Sequence, residues 1–221
     1  MWGWDAAAVR EAALDALAVL LPVECSGCGA EDRGLCSSCR ASLVPEVSSR
    51  LVGEGLRVWS GLEYDGVVRN VVLALKRDGR MDAARALAPA LAAAVVAAAP
   101  EPDGIDVVAV PATRRAYRRR GYDPVRLLVG RAGLRELRVF SAARAHAAQK
   151  TLGVSARDAN LRGAFRLRRA VAGRRILIID DVVTSGATLR EVARVLRDGG
   201  AEVVGAAVVA STPKRFAPVV E

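Results

Sequence analysis

The sequence is poor in the side chains on which many binding and catalytic proteins depend. Tryptophan, tyrosine and phenylalanine occur three times each and make up 4% of 221 residues. Near the basic middle of the chain only Tyr117, Tyr122, Phe140 and Phe165 could stack on a base, which argues against a stacking platform for single-stranded nucleic acid. His146 is the sole histidine, and a plain loop residue is a better reading of it than a catalytic base. The glycine-rich nucleotide loops are missing as well. There is no Gly-Lys-Thr/Ser of a Walker A loop and no G-x-G-x-x-G dinucleotide fingerprint. The most apolar stretch, Ala86 to Ala99, is interrupted by Pro89 and is too short to span a bilayer. Met1 to Leu21 sets Asp5, Glu11 and Asp15 against Arg10 alone and lacks a small-residue cleavage site, so it reads as an amphipathic helix ended by Pro22 rather than a secretory signal. A cytoplasmic protein with no membrane insertion is the expectation, and its four cysteines are then not disulfide-bonded.

Arginine is abundant, supplying all but three of 33 basic residues in a chain of net charge +9. Residues 1–112 and 176–221 are mildly acidic, and the positive charge is one block between them, residues 113–175. Such a block suits an anionic ligand, a polyphosphate or a nucleic acid backbone, and competes with a solvated arginine-rich face. The run Arg118-Arg119-Arg120 reads as such a face. The alternation of short apolar runs (Leu56–Tyr64, Ile105–Val110, Arg175–Asp180, Glu202–Ala210) with helical segments (Val67–Lys76, Met81–Ala99, Asp123–Ala132, Gly186–Asp198) predicts an α/β fold with a doubly wound parallel sheet. Residues 41–55 read as a connector, Ala112–Tyr122 as a basic loop, and Ser141–Gly163 as a long segment without period, which in a compact domain is usually functional or mobile.

Two motifs carry chemistry. In the first, Ile176 to Ile179 form a strand buried on both faces, with Asp180 and Asp181 at its carboxyl end, where α/β sheets place ligands. Thr184, Ser185, Gly186, Ala187 and Thr188 then turn into a helix. Such a turn offers backbone N–H groups, hydroxyls and a helix N-terminus to a phosphate, while the carboxylates suit ribose hydroxyls, with Mg²⁺ as companion. One turn thus recognises both ends of a 5-phosphoribosyl group. The string resembles the signature that binds phosphoribosyl pyrophosphate (PRPP) in type I phosphoribosyltransferases. The second motif is Cys25-x2-Cys28-x7-Cys36-x2-Cys39, two C-x-x-C knuckles that read as a structural tetrathiolate zinc site with no open coordination position. This module could bind nucleic acid, bind a partner or clamp the N-terminus, and its three acids against Arg33 and Arg40 do not favour direct DNA binding. The expected organisation is an N-terminal helix and zinc module over 1–45 and a phosphoribosyltransferase-like domain over 46–221.

Taken in order, the features resemble the ComF family of competence-associated, phosphoribosyltransferase-like proteins. The carriers are the paired C-x-x-C motifs, Tyr64-Asp-Gly66-x-x-Arg69…Leu75-Lys76, Val110-Pro111, Arg120-Gly121-Tyr122, the loop Arg144…Gln149-x-x-Leu152…Arg157-x-x-Asn160…Ala164-Phe165, and the Asp180-Asp181 string. Thr113 stands where the family often has a second proline, Asp123-Pro124 where it often has Asn-Gln, and His146 where a threonine is common. These departures bear on pyrophosphate contact and acceptor choice.

The resemblance implies a role for each region. The loop at Val110-Pro111 would hold pyrophosphate, with Lys76 assisting. Arg144, Gln149 and Arg157 would lie on a mobile loop that closes over PRPP, and the acceptor would be read near Leu56–Val68 together with the zinc module. It further implies phosphoribosyl transfer to an unknown acceptor with release of pyrophosphate, Mg²⁺ entering with PRPP, a homodimer, and a link to competence and single-stranded DNA. A non-catalytic PRPP-binding regulator and a single-stranded-DNA-binding accessory protein are the competing readings. Asn160 and Phe165 read as turn and packing residues.

Overall fold

A computed structural model of the chain describes residues 23–31, 34–53, 55–141 and 163–213. The expected helix over Asp5–Leu21 and the loop residues Arg144, His146, Gln149, Arg157 and Asn160 lie outside them. Eleven elements follow in order: α1 (Ser37–Ala41), β1 (Ser48–Val52), β2 (Leu56–Glu63), α2 (Gly66–Arg77), α3 (Ala83–Ala98), β3 (Ile105–Ala109), α4 (Arg114–Arg120), α5 (Pro124–Arg131), β4 (Arg175–Val183), α6 (Ala187–Asp198) and β5 (Glu202–Ser211).

The five strands form one sheet in the order β1-β2-β5-β4-β3. Strands β2, β5, β4 and β3 are parallel, and β1 pairs antiparallel with β2 at the edge. The sheet is therefore mixed rather than wholly parallel. Strand β1 corrects the expected connector over 41–55: it pairs through Ser48–Ser60 and Val52–Leu56, but its alternation is mostly exposed and carries two serines and an arginine, so no apolar period announced it.

Both faces are covered, which explains the uninterrupted apolar run of Ile176–Ile179, each at most 1% exposed. Leu177 and Ile179 pack with Leu75 of α2, Leu87 and Leu91 of α3, and Leu128 of α5. Ile176 and Ile178 pack on the other face with Leu189, Val192 and Leu196 of α6. Phe140 and Phe165 close that second layer with ring centroids 6.0 Å apart, so Phe165 is the packing residue it was expected to be. Pro89 stands inside helix α3 on its exposed side, while the neighbouring Ala90 backbone lies so close to Gly61 of β2 that a Cβ there would fall 2.1 Å from Ala90 O. Among the described residues no helix is long and apolar enough to cross a membrane.

The expected basic loop over 112–122 contains a helix, α4. Thr113 Oγ1 accepts from the Ala116 N–H at 3.2 Å and Gly121, at φ 78°, ends it in the left-handed conformation. These are the cap residues such a helix needs, and the density of arginine between them masked the signal.

Candidate functional site

The chain leaves β2 for β3 through α2 and α3, crosses the sheet, and then walks back through β4 to β5. The carboxyl ends of β3 and β4 therefore lie side by side, with Val110 N–H donating to Ile179 O at 2.8 Å. A cavity of about 360 Å³ opens there, lined by Lys76, Val110, Pro111, Arg119, Arg120, Asp123, Asp180, Asp181 and Thr188 among others. Six of the sequence-predicted site residues thus share one wall: Lys76, Val110, Pro111, Asp180, Asp181 and Thr188. Arg144, Gln149 and Arg157 fall outside the described residues.

Strand β4 runs three residues past its expected end, to Val183, so the two carboxylates sit inside the strand rather than at its last positions. Asp181 is 8% exposed, and Lys76 Nζ meets its Oδ1 at 2.8 Å. Burial alone would push the Lys76 ammonium down. The charge of Asp181, its hydrogen bond and the charge of Asp180 outweigh that, and the net direction is up. Asp180 is held well above the ordinary carboxylate range, first by burial and then by the charge of Asp181. The Asp181 N–H, donating to Asp180 Oδ1 at 2.9 Å, and Lys76 only partly offset this.

The turn that follows exposes Thr184 and Ser185 and buries Gly186. Gly186 adopts φ 74°, and a Cβ on it would fall 2.1 Å from Val52 Cγ1, so both backbone conformation and space require glycine. Strand β1 is thus the floor against which the turn is shaped. From the same strand, Arg50 donates to Val183 O at 3.2 Å, to Thr212 O at 3.3 Å and to Thr184 O. Burial lowers its guanidinium from the ordinary value. Arg50 was not foreseen, because its partners lie more than 130 positions away.

Arg119 and Arg120 line the cavity although their run reads as a solvated face; the unforeseen turn of α4 directs this part of the run to the site. Asp123, the expected cap of α5, also accepts the Ala112 N–H at 3.2 Å, tying down the loop after β3.

The four cysteine sulfurs lie within 4.8 Å of one another, with Cys28 and Cys36 at 3.8 Å. A tetrahedral zinc with Zn–S bonds near 2.3 Å needs edges of about 3.8 Å, so the cluster fits a structural zinc ion. Backbone N–H groups of Gly27 and Cys36 point at Cys25 Sγ at 3.4 and 3.3 Å, as anionic sulfurs require. The Ser38 hydroxyl and then the Cys39 amide lower the Cys36 thiol to about 6. Gly27 is needed because a Cβ would meet Cys39 Sγ at 2.6 Å. The knuckle docks on α2 and the loop after it: Asn70 Nδ2 donates to Gly27 O at 2.8 Å, and Arg80 to Glu24 O and Gly34 O at 2.9 and 3.1 Å.

The mixed sheet, the acidic pair within β4 and the turn into α6 define a phosphoribosyltransferase-like protein. The family of the phosphoribosyl transferase domain matches residues 125–220. The DNA utilization protein YhgH of Salmonella typhimurium is 32% identical over 202 residues, spanning 77% of this chain and 87% of that protein. The Salmonella typhi protein of the same name is 36% identical over 160 residues, 67% of this chain and 69% of the relative. The chain belongs to the ComF family. A crystal structure of a phosphoribosyltransferase from Corynebacterium diphtheriae is 22% identical, with a TM-score of 0.36 over 79% of this chain and 83% of that one.

Proposed function

We propose that the chain binds PRPP and transfers its phosphoribosyl group to an acceptor with release of pyrophosphate. The observation that carries this reading is the single cavity wall shared by Asp180, Asp181, Thr188, the Val110-Pro111 loop, Lys76 and the arginines of α4. The carboxylates of Asp180 and Asp181 accept the 2′- and 3′-hydroxyls of the ribose. The backbone N–H groups of Thr184 to Thr188 and the N-terminus of α6 receive the 5-phosphate. Lys76, Arg119 and Arg120 neutralise the pyrophosphate held against the loop after β3; arginine suits this because its planar fork binds phosphate oxygens bidentately. Little covalent chemistry is asked of these residues: they orient the sugar and stabilise charge on the leaving group.

Carboxylate oxygens are donors that Mg²⁺ accepts, so Asp180 and Asp181 fit the ion, which would neutralise phosphate charge when bound. Lys76 already occupies Asp181, which favours entry of the ion with PRPP rather than alone. Arg144, Gln149 and Arg157 would close over the complex. A structural zinc ion on the four cysteines would hold the knuckle against α2.

Titration calorimetry with PRPP, with and without Mg²⁺, tests the reading. The wild-type protein saturates and an Asp180→Asn/Asp181→Asn variant does not; a folded, zinc-loaded wild type that takes no PRPP sinks it.

A second reading has its own observation. Among the described residues no ion-pair partner meets Arg114, Arg115, Arg118, Arg119 or Arg120, and the exposed Tyr117 lies between them. Such a surface accepts the backbone of single-stranded DNA, in keeping with the name of the relatives and with a role in competence. Fluorescence anisotropy of a labelled oligothymidylate over a salt series checks it, with no binding at low salt as the outcome against it.

A further inference from the structure

The cavity that holds Asp180 and Asp181 and the basic face of α4 have two residues in common. Arg119 and Arg120 line the cavity, together with Lys76 and Arg77. Arg114, Arg115 and Arg118 stand on the same short helix and lie outside the lining. Residues four apart are neighbours on a helix surface, so Arg114 stands beside Arg118 and Arg115 beside Arg119. Successive residues are turned by about 100°, which places Tyr117, Arg114, Arg118, Arg115 and Arg119 in that order around one side of α4. All five are exposed. The basic face therefore runs without a break to the cavity, and Arg119 is its last member.

Neither shared arginine is committed elsewhere. Among the described residues Arg119 and Arg120 have no ion-pair partner. The hydrogen bond that Arg120 donates from Nε to Ala116 O, at 3.3 Å, lies within its own helix and leaves the terminal nitrogens of the fork to a ligand. Lys76, by contrast, is already paired with Asp181 at 2.8 Å. A polyphosphate seated in the cavity draws on Arg119 and Arg120, and a nucleic acid backbone laid along α4 draws on the same two. One guanidinium fork does not serve both anions bidentately, and the anions repel each other at that separation.

We infer that PRPP and single-stranded DNA compete for this protein. PRPP in the cavity takes Arg119 and Arg120 from the basic face and loosens the strand, and the strand in turn lowers the affinity for PRPP. The inference rests on both readings above. Such antagonism is reciprocal: the factor by which PRPP weakens DNA binding is the factor by which DNA weakens PRPP binding. It is also partial, because Arg114, Arg115 and Arg118 stay on the face. Affinity for a single strand falls with salt with a slope of about 0.7 per phosphate neutralised, so the loss of two of the five arginines lowers the slope from about 3.5 to about 2. A general weakening of the fold would leave that slope unaltered. The protein thus holds a strand while PRPP is scarce and releases it when PRPP is plentiful.

The test uses the full-length, zinc-loaded protein, a fluorescein-labelled oligothymidylate and PRPP with Mg²⁺, with ionic strength matched in every pair of samples. Anisotropy gives the DNA affinity over a salt series with and without PRPP, and calorimetry gives the PRPP affinity with and without DNA. In the wild type, saturating PRPP raises the Kd for DNA at least about tenfold at low salt and lowers the salt slope by about 1.4, and saturating DNA raises the Kd for PRPP by the same factor. In the Asp180→Asn/Asp181→Asn variant the DNA affinity no longer responds to PRPP. Arg119→Ser/Arg120→Ser has the lower slope from the outset and loses most of the antagonism; Arg119→Ser alone, at an exposed position, replaces it if the double variant does not fold. A wild type that calorimetry shows to be loaded with PRPP, and that holds DNA equally well or more tightly, overturns the competition and leaves both readings standing. An equal loss of DNA affinity in Asp180→Asn/Asp181→Asn also overturns it, because PRPP then acts elsewhere than in the cavity. A wild type that takes no PRPP sinks the PRPP reading, one that takes no DNA at low salt sinks the DNA reading, and either result removes the competition with it.

Discussion

Lys76 Nζ lies 2.8 Å from Asp181 Oδ1, an ion pair between the last turn of α2 and the acidic stretch of β4. Its two members come from elements far apart in the chain and both line the cavity. Replacing Lys76 by Met leaves a nearly buried carboxylate without its cation. The expected loss, discounted for the part of Lys76 that solvent reaches, is about 1–3 kcal/mol in chemical denaturation. Adding Asp181→Asn to that variant recovers part of it; strict additivity of the two substitutions would contradict direct coupling.

Asp180 is expected to trade stability for binding. Its carboxyl is raised above the ordinary range, so its contribution favours the fold at acid pH and is lost as pH rises through the raised value. At pH 8 the unfolded chain ionises this carboxyl freely while the folded site resists ionisation, and that difference is a burden. Asp180→Asn therefore raises Tm by a few degrees at pH 8, the gain shrinks towards pH 4, and PRPP affinity is lost at both. A gain that grew on acidification would contradict the assignment of the burden to this carboxyl.

Gly186→Ala places a methyl group 2.1 Å from Val52 Cγ1 on a backbone at φ 74°. A cost of about 2 kcal/mol or more follows, with PRPP affinity reduced at least about tenfold. Val52→Ala in the same chain removes the clash and not the conformational strain, so a partial recovery separates the two.

Arg50→Ala frees three carbonyls at the ends of β4 and β5. PRPP affinity is expected to fall about tenfold, and guanidinium ion at low millimolar concentration to restore part of it, which a general loss of packing would not permit.

Purified protein is expected to hold one zinc per chain, and a chelator to lower its Tm. Arg80→Ala and Asn70→Ala, which cut the knuckle's ties to α2, lower Tm while leaving the zinc content at one, as measured by metal analysis.

Much of this was legible in the residues. Ile176–Ile179 and the helix after Gly186 follow from local pattern, and the cysteine spacing alone grouped four sulfurs that the structure brings together. What stayed hidden depends on distant partners. Strand β1 carries no apolar alternation and exists because Leu56–Glu63 offers it an edge. Arg50 is one arginine among many until Thr184 is seen beside it. In the run Arg118-Arg119-Arg120, the sequence does not distinguish the last two, which line the cavity, from a solvated face.

The place of β2 in the sheet has a consequence for how the chain is made. Strand β2 pairs with β5, which emerges from the ribosome about 150 residues later. Until then its inner edge has no neighbour, and the nascent chain must carry an unpaired template for other strands. The four sulfurs of the cysteine knuckle all come from residues 25 to 39, so a zinc ion bound there would close it without the rest of the chain. With zinc bound it would be complete during synthesis, a finished anchor beside α2 while the sheet still waits for its central strand.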